Sequence, residues 1–371
     1  MDLSLSDDEL LLQSSVRSFV QREASAETLV ELESASGQAF DPSWQATMAE
    51  SGWLAAFVPE DAGGAGASAL ESAIICEEIG RGPIGGPFLA SSVLSACLLA
   101  AATPSKVRDE VLAGIVDGSA VVSPVLVGAD ASWSGLRAPV ASPADDGALS
   151  MRVPFVASAA SASHLLVPIR TDGSAVDLAL IPTDNAGVTV RTLGGFLADA
   201  HELTIAGATI DPDWTVTISE REAVESALTR AYLGVAAYQV GGSQRVLERS
   251  IDYSNTRVQF GQVIGRFQRV QDHIVELLNA VDAARWSLYE AVWRVDSGRT
   301  AAASAHMAKA VASETYVTAT DAAHKVHGGI GVDPTFGLTL YTQMSRSLYD
   351  FCGNPRWHKR QMVRALSWSA S

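Results

Sequence analysis

Apolar residues recur at helical spacing through the first part of the chain. The segment Ser6–Glu9 contains the serine and glutamate of a capping box. The apolar positions that follow it are Leu10, Leu11, Leu12, Val16, Phe19 and Val20. A turn-rich loop at Pro59–Gly66 precedes a second helical pattern at Leu70–Ile79, and the short apolar run Ala90–Ala102 indicates a buried helix rather than a membrane span. These patterns predict a helical domain over residues 1–116.

Short runs of β-branched and aliphatic residues replace the helical pattern from residue 117 to residue 214. Gly, Asp and Pro separate these runs, which is typical of strands joined by turns. The runs are Val121–Val127, His164–Ile169, Val176–Ile181 and Val188–Val190. We therefore predict a small β domain, a barrel or a sandwich, over residues 117–214.

Long helical patterns with few breakers return after residue 215. They cover Glu222–Glu248, Arg269–Asp296 and Arg299–Lys325. Helices of this length favour a four-helix bundle, and such bundles often assemble into oligomers. The predicted fold class is therefore mainly α with a central β domain, with the bundle over residues 215–371.

Composition and charge limit the class of partner. The chain has 371 residues, of which 47% are apolar, and this is enough for two or three domains. Its 42 acidic and 26 basic residues give a net charge of −16, which argues against nucleic acid and against an anionic membrane surface. An anionic small molecule is not excluded, because basic residues cluster near the C-terminal end. They are Arg346, Arg356, Lys359, Arg360 and Arg364, and a solvated helix face explains them equally well.

Cysteine and histidine positions give no sign of a metal site. Cys76, Cys97 and Cys352 follow no metal-binding spacing and cannot all pair, so a reducing cytoplasm is the simplest inference. The acidic opening of the chain contains no visible signal peptide. His324 and His327 have no third ligand at a useful spacing, which favours a hydrogen-bonded structural role.

The run Tyr253–Gln268 is the most informative part of the chain. Arg257 offers a fixed fork of donors that suits a pyrophosphate, and Phe260 offers a face for a heteroaromatic ring. Gln268 adds both a donor and an acceptor. The run could bind a long anionic ligand with a flat head; the alternative is a helix–turn–helix segment with a solvated arginine.

Four further segments complete a recognisable order of motifs. They are Ser51–Gly66, Ile181–Val188, Ala308–Glu314 and His327–Gly331. Together with the run Tyr253–Gln268 and the helical, β and bundle order, they resemble the acyl-CoA dehydrogenase family over essentially the whole chain.

The resemblance implies FAD bound at a subunit interface and the α,β-dehydrogenation of an acyl-CoA thioester. The positions implied to reach the adenosine-pyrophosphate half of a neighbouring subunit's flavin are Arg257, Gln259, Phe260 and Gln268. The positions implied to let the backbone approach that ligand are Gly328, Gly329 and Gly331. A carboxylate takes the α proton in this reaction, and an electron-transferring flavoprotein is the acceptor implied by the family.

The chain departs from the family where the catalytic base is expected. The usual glutamate position is occupied by Cys352, and Asn354 stands where the family has threonine. The alternative position, on the first bundle helix, falls at or near Ala231. Asp350 is a weak candidate for the base, Glu225 would need an altered register, and a cysteine base would need electropositive surroundings.

The residues implied to hold this chain's own flavin ring are changed as well. In the family, a threonine hydroxyl lies behind the flavin ring, and the matching residue here is Ala157, in the segment Phe155–Ala157. The family's "TEP…GSD" segment corresponds to Val121–Ser132 in this chain. Lys325 replaces the glutamine of the glycine turn and could pair with a phosphate as a point charge.

This uneven pattern resembles the actinobacterial α2β2 acyl-CoA dehydrogenases of sterol side-chain breakdown, in which one subunit type carries the base and the other completes the site. We expect a subunit of a homo- or hetero-tetramer that completes the flavin site of a catalytic partner chain. The alternatives are a self-sufficient flavoenzyme with an unorthodox base and a CoA-ester binding or scaffolding protein without redox function.

Overall fold

The computed structural model describes residues 4–145, 147–171, 174–194 and 199–367 of the chain. The helices are α1 (Asp7–Glu23), α2 (Ala26–Ser36), α3 (Ser43–Glu50), α4 (Ala69–Gly80), α5 (Ala96–Ala100), α6 (Lys106–Val116), α7 (Arg221–Thr256), α8 (Gln268–Asp296), α9 (Ala302–His327), α10 (Leu338–Tyr349) and α11 (Pro355–Ala365). The strands are β1 (Val122–Pro124), β2 (Ala148–Ala157), β3 (His164–Thr171), β4 (Val176–Pro182), β5 (Val188–Thr192), β6 (Ala200–Thr209), β7 (Thr215–Ile218), β8 (Val258–Gln259) and β9 (Gln262–Val263).

The first helix begins at the capping box that the sequence predicts. The Ser6 hydroxyl accepts the Glu9 N–H at 3.3 Å, and the Glu9 carboxylate accepts the Ser6 N–H at 2.7 Å, so the capping box is formed. The apolar run after residue 88 is buried as a π-helical stretch, Phe88–Ser95, which leads directly into α5. The helices predicted in this region are confirmed.

Contacts group the chain into two units. The first consists of Met1–Phe40, Ala69–Ile84 and Tyr232–Ser371, and the second of Asp41–Ser68 and Gly85–Ala231. These units are defined by packing, whereas the three domains expected from the sequence follow changes in element type. The three-domain division stays a prediction.

The β region of the second unit is built from two sheets. One has the strand order β1-β3-β4-β7 and the other β2-β6-β5, and all their pairings are antiparallel except that of β1 with β3. Leu165 and Ile181 of the first sheet share one apolar core with Val153 and Leu203 of the second. Among the described strands no barrel closes, so the sandwich is the correct one of the two predicted alternatives.

Strands β2 and β6 lie outside the runs that the sequence analysis identified. Along β6 the buried residues His201, Leu203 and Ile205 alternate with less buried ones such as Glu202, since only one face of the strand meets the core. This alternation leaves no continuous apolar run that would indicate a strand.

The long C-terminal helices are confirmed. Helix α7 continues to Thr256, beyond the predicted end at Glu248, because no breaker intervenes. Helix α8 packs along α9, and α9 also packs against α10 and α11. The pattern of long helices therefore predicted the bundle correctly.

Two glycines allow α4 and α7 to touch backbone to backbone. A Cβ at Gly80 would lie 2.1 Å from the Tyr238 carbonyl oxygen, and a Cβ at Gly241 would lie 1.8 Å from the Glu77 carbonyl oxygen. The Tyr238 hydroxyl donates to the Ile84 carbonyl at 2.7 Å, which fixes the segment after α4 to the same helix. No larger residue fits at either crossing point.

We predict that Gly241→Ala lowers the free energy of unfolding by about 2 kcal/mol or more, because the two helix backbones must separate. The loss would occur although alanine is favoured over glycine within a helix by about 1 kcal/mol. Denaturant unfolding followed by circular dichroism measures it. Gly194→Ala is the control, since its Cβ would have nothing within 4 Å. A Gly241→Ala protein as stable as the wild type would contradict the crossing geometry.

Candidate functional site

A short hairpin follows α7 and holds an aromatic ring in solvent. Strands β8 and β9 are joined by Phe260 and Gly261, whose φ angles are +50° and +79°. Two consecutive positive φ values are those of a type I′ turn, which the following glycine favours but a phenylalanine adopts only with strain. The Phe260 side chain is 91% exposed. The hairpin therefore presents a large apolar ring outward.

The backbone of Arg257 is held by two hydrogen bonds, whereas its side chain is exposed. Its N–H donates to the Tyr253 carbonyl and its carbonyl accepts the Ile264 N–H, both at 2.9 Å. Its side chain is exposed, and within the described ranges the guanidinium has no carboxylate partner. Gln259 and Gln268 are exposed on the hairpin and at the start of α8.

The glycine turn after α9 has one open side and one packed side. A Cβ at Gly328 or Gly329 would meet nothing within 4 Å, whereas a Cβ at Gly331 would lie 3.0 Å from His324 Nδ1. Gly331 is thus needed for packing within this chain, while Gly328 and Gly329 leave the backbone accessible. Lys325 is exposed on the last turn of α9, and no described carboxylate pairs with it.

An aromatic stack brings the hairpin and the glycine turn together. The Tyr253 ring lies on the His327 ring at 4.5 Å with an interplanar angle of 24°. Tyr253 precedes Arg257 by one helical turn, and His327 immediately precedes Gly328. His327 is also fixed by a 2.8 Å hydrogen bond between its Nδ1 and the Ala323 carbonyl, and burial lowers its pKa. The two segments singled out in the sequence therefore lie on one part of the first unit.

His324 and His327 both have protein partners rather than a shared ligand. His324 Nε2 lies 2.8 Å from the Thr342 hydroxyl, and burial lowers its pKa. In the described part of the chain, no three His, Cys, Asp or Glu side chains are grouped as a metal site requires.

The Cys352 loop is a tight left-handed connection between α10 and α11. Cys352 has φ +60° and Gly353 has φ +103°, and the Asn354 side chain accepts the Trp357 N–H at 2.9 Å to begin α11. The Cys352 residue is buried, whereas Asp350 is exposed at the end of α10. A positive φ costs a residue other than glycine on the order of 1 kcal/mol, so the surroundings must hold this loop in place.

A fully buried lysine lies close to this loop, and the sequence analysis did not single it out. Lys309 donates to the Ser313 hydroxyl at 2.8 Å, and Ser313 is linked to Gln239 Oε1 at 3.2 Å. Burial lowers the pKa of Lys309 to about 8, while Cys352 and Asp350 act in the opposite direction. A sequence signal for its burial is that its neighbours on α9, Ala305, Ala308 and Ala312, are small residues that the helix buries.

Two histidines complete basic surroundings for the loop. His358 Nε2 lies 3.0 Å from the Cys352 carbonyl oxygen, which can only accept, so Nε2 must donate. Burial, with Lys309 and His306 next in importance, lowers the pKa of His358 to about 2, so the ring is neutral. Its Nδ1 therefore accepts from His306 Nδ1, 2.9 Å away. An amine and two imidazoles thus surround Cys352.

The basic residues that the sequence suggested as surroundings for Cys352 lie on the surface, where they form ion pairs or are exposed. Lys359 pairs with Glu314 at 2.6 Å, and Arg346 pairs with Asp321 at 2.9 Å. Arg356 is exposed.

The alternative base position on α7 has no available carboxylate. Ala231 is fully buried, and Glu225 is exposed and pairs with Arg137 at 3.0 Å and with Arg221 at 3.2 Å. An apolar cavity of about 350 Å³ lies nearby in the second unit, with Phe57, Cys97 and Ala227 in its wall. Arg230 also lines it and donates to the Ala67 carbonyl at 3.0 Å. The cavity suits an apolar group.

The segments implied to face this chain's own flavin ring meet in the β region. The buried Ser123 hydroxyl donates to the Ala157 carbonyl at 2.6 Å, so it is committed within the chain. Phe155 on the same strand is 47% exposed. Ala157 offers no hydroxyl at this edge of β2.

Comparison with known proteins gives a consistent match along the chain. Residues 6–119 match the family model described as acyl-CoA dehydrogenase, N-terminal domain, and residues 221–367 match the model described as acyl-CoA dehydrogenase, C-terminal domain. Acyl-CoA dehydrogenase IpdE2 of Mycolicibacterium smegmatis is 26% identical over 360 residues, which cover 96% of this chain and 98% of that protein.

Solved structures agree in fold. The ChsE4–ChsE5 complex from Mycobacterium tuberculosis contains a chain that is 25% identical and superposes with a TM-score of 0.88, with 100% of both chains covered. Butyryl-CoA dehydrogenase from Megasphaera elsdenii superposes with a TM-score of 0.85 at 20% identity, with 99% of this chain and 100% of that chain covered, and shows the fold alone. Within the described ranges, no helix has both the length and the apolar character needed to cross a bilayer.

We predict that Lys309→Met changes how stability depends on pH. Lysine has an ordinary pKa of 10.5, and in the folded chain the value is about 8, so between these values the unfolded chain binds more protons. Raising the pH through this window should therefore stabilise the wild type relative to the variant by about 3 kcal/mol. Below pH ~8 the difference should be constant.

Urea unfolding at several pH values across this window measures the difference. Lys106→Met, at an exposed lysine, is the control and should show a flat difference from the wild type. If the stability difference between Lys309→Met and the wild type is also independent of pH, the burial of Lys309 does not lower its pKa.

Proposed function

The chain belongs to the acyl-CoA dehydrogenase family, and we propose that it completes the flavin site of a catalytic partner chain in an FAD-dependent acyl-CoA dehydrogenase complex. The observation that carries this proposal is the outward-facing surface formed by the hairpin and the glycine turn. Within it, Phe260 is 91% exposed at a strained φ of +50°, and the Arg257 guanidinium has no carboxylate partner among the described residues. Such a ring and charge are expected to be covered in an assembly.

The chemistry of this surface fits the adenosine-pyrophosphate half of FAD. Arg257 would pair with the pyrophosphate through its fork of donors, and Lys325 would add a second positive charge. Phe260 would contact the flat heteroaromatic head, and Gln259 and Gln268 would add polar contacts. The open backbone at Gly328 and Gly329 would allow close approach.

We infer that the described residues of this chain do not supply the other half of a complete site. FAD supplies a hydride acceptor when bound, but α-proton removal also needs a base in reach of the substrate's α carbon. Cys352 stands where the family has its glutamate, and the groups around it are Lys309, His306 and His358. These groups do not replace a carboxylate, so in our proposal the base comes from the partner chain.

Relatives support a two-chain assembly of this kind. One of the structures that resemble this chain is a complex of two differently named chains, ChsE4 and ChsE5. By analogy we propose a hetero-oligomer with a second acyl-CoA dehydrogenase subunit, acting in the cytoplasm. A sterol-derived acyl-CoA as substrate and an electron-transferring flavoprotein as acceptor are part of the same proposal.

We predict that Arg257→Ala weakens flavin binding by the assembled complex about tenfold or more, since a charge-assisted contact contributes roughly 1.5–3 kcal/mol. Phe260→Ala should weaken it severalfold, since an aromatic contact contributes roughly 0.5–1.5 kcal/mol. Flavin absorbance after gel filtration at known protein concentration measures the bound fraction. Arg191→Ala, at an exposed arginine of β5, is the matched control and should bind flavin normally. Full flavin occupancy in both site variants would overturn the proposed surface.

A self-sufficient enzyme is the second candidate, because Asp350 is an exposed carboxylate in the loop that contains Cys352. In our proposal, Asp350→Asn leaves the turnover of the complex within about twofold of the wild type. If Asp350 were the base, the same change would lower kcat by about 10²- to 10⁴-fold with flavin still bound. Dye-reduction assays of the complex distinguish the two outcomes. A non-redox binding protein would hold no flavin in any assembly.

A further inference from the structure

A second cavity, of about 420 Å³, lies within the first unit and is not part of the proposed flavin surface. Its wall is formed by α1, the start of α2, the end of α4 with the turn after it, α7, and the turn before α10 with the first part of that helix. Its volume is in the range of ~300–1,000 Å³ that small-molecule sites occupy. Four arginines line it: Arg17, Arg81, Arg245 and Arg249. We propose that this cavity binds a small anionic metabolite through a phosphate or carboxylate group.

The charges around the cavity are unbalanced toward positive. Arg17 forms a bidentate pair with the buried Glu78 at 2.8 and 2.5 Å. Arg81 pairs with Glu248 at 2.6 Å, and Arg245 reaches the same Glu248 oxygen at 3.3 Å. Glu78 and Glu248 thus serve three arginines, and a third carboxylate, Glu27, lines the cavity within electrostatic reach of Arg249. Four arginines therefore face three carboxylates. An excess of cations is unusual in a chain with a net charge of −16, and it concentrates anions locally.

Arg249 is the arginine that the described carboxylates leave without an ion pair. Its Nη2 donates to the Phe336 carbonyl at 2.6 Å. Its guanidinium carbon lies 4.8 Å from the centre of the Phe336 ring and 5.7 Å from that of the Tyr341 ring. These contacts hold the guanidinium in place without neutralising its charge.

One of the two rings that face Arg249 is itself held by a hydrogen bond. The Tyr341 hydroxyl donates to the Arg81 carbonyl at 2.8 Å, so α10 is fastened to the end of α4. A guanidinium held in this way loses little freedom when it binds an anion, which favours affinity.

The ligand test uses the full chain with sodium phosphate, sodium pyrophosphate and sodium citrate as probes in isothermal titration calorimetry, with sodium chloride at equal ionic strength as the baseline. We expect saturable binding of at least one probe at concentrations up to about 10 mM. Preference for pyrophosphate over citrate would identify a phosphate ligand, and the reverse would identify a carboxylate ligand. No saturable heat from any of the three probes would overturn the proposal.

Variants locate the binding. Arg249→Gln should weaken binding at least tenfold, and Arg245→Gln should weaken it severalfold. Arg245 is 41% exposed with one ion pair at 3.3 Å, so its variant remains informative if Arg249→Gln does not fold. Arg191→Gln, at an exposed arginine of β5 outside both proposed sites, should bind the probe as the wild type does. If Arg257→Ala, on the proposed flavin surface, abolishes binding, or if Arg245→Gln and every folded Arg249 variant bind normally, the anion binds elsewhere and the proposal is wrong.

Discussion

The stack of Tyr253 on His327 is the contact on which the proposed function depends. It joins the end of α7 to the end of α9, and each helix delivers a different ligand-facing segment immediately afterwards. One segment is a hairpin with an outward ring and a free guanidinium, and the other is a glycine turn with an open backbone. Neither segment has the chemistry of a cofactor site by itself. Held together, they offer charge, an aromatic surface and backbone access on one part of the unit.

The Cys352 loop gives the opposite picture. It is held by buried groups, since His358 donates to its carbonyl and Lys309 lies close behind it in a chain of hydrogen bonds through Ser313 to Gln239. These groups are basic or neutral, and no buried carboxylate is among them. In our proposal, these surroundings and the lack of a hydroxyl at Ala157 leave the chain suited to a neighbour's cofactor and dependent on a partner for its own chemistry. An assembly in which two different chains each supply half of a site explains both observations.

Much of the fold could be predicted from the sequence, because long helices leave a strong periodic pattern and family motifs mark their order. Strands β2 and β6 were missed because one-sided burial produces alternation instead of apolar runs. The burial of Lys309 was missed, although its small neighbours on α9 were a signal, because a lysine within a helical pattern usually lies at the surface. The arginine-lined cavity was also out of reach, because Arg17, Arg81 and Arg249 come from separate helices and meet only after folding. The roles assigned to Arg257, Phe260 and Lys325 stay predictions, although the structure explains why their side chains are available.

We infer that this chain completes a site it does not itself contain, and the flavin content of sized complexes tests this inference. The chain should be purified alone and after co-expression with an acyl-CoA dehydrogenase-like partner, and the flavin absorbance per chain compared. We expect a colourless, inactive lone chain and a yellow complex with about one FAD for every two chains, because each flavin needs one chain of each kind. A yellow lone chain with one FAD per subunit and dehydrogenase activity would contradict it.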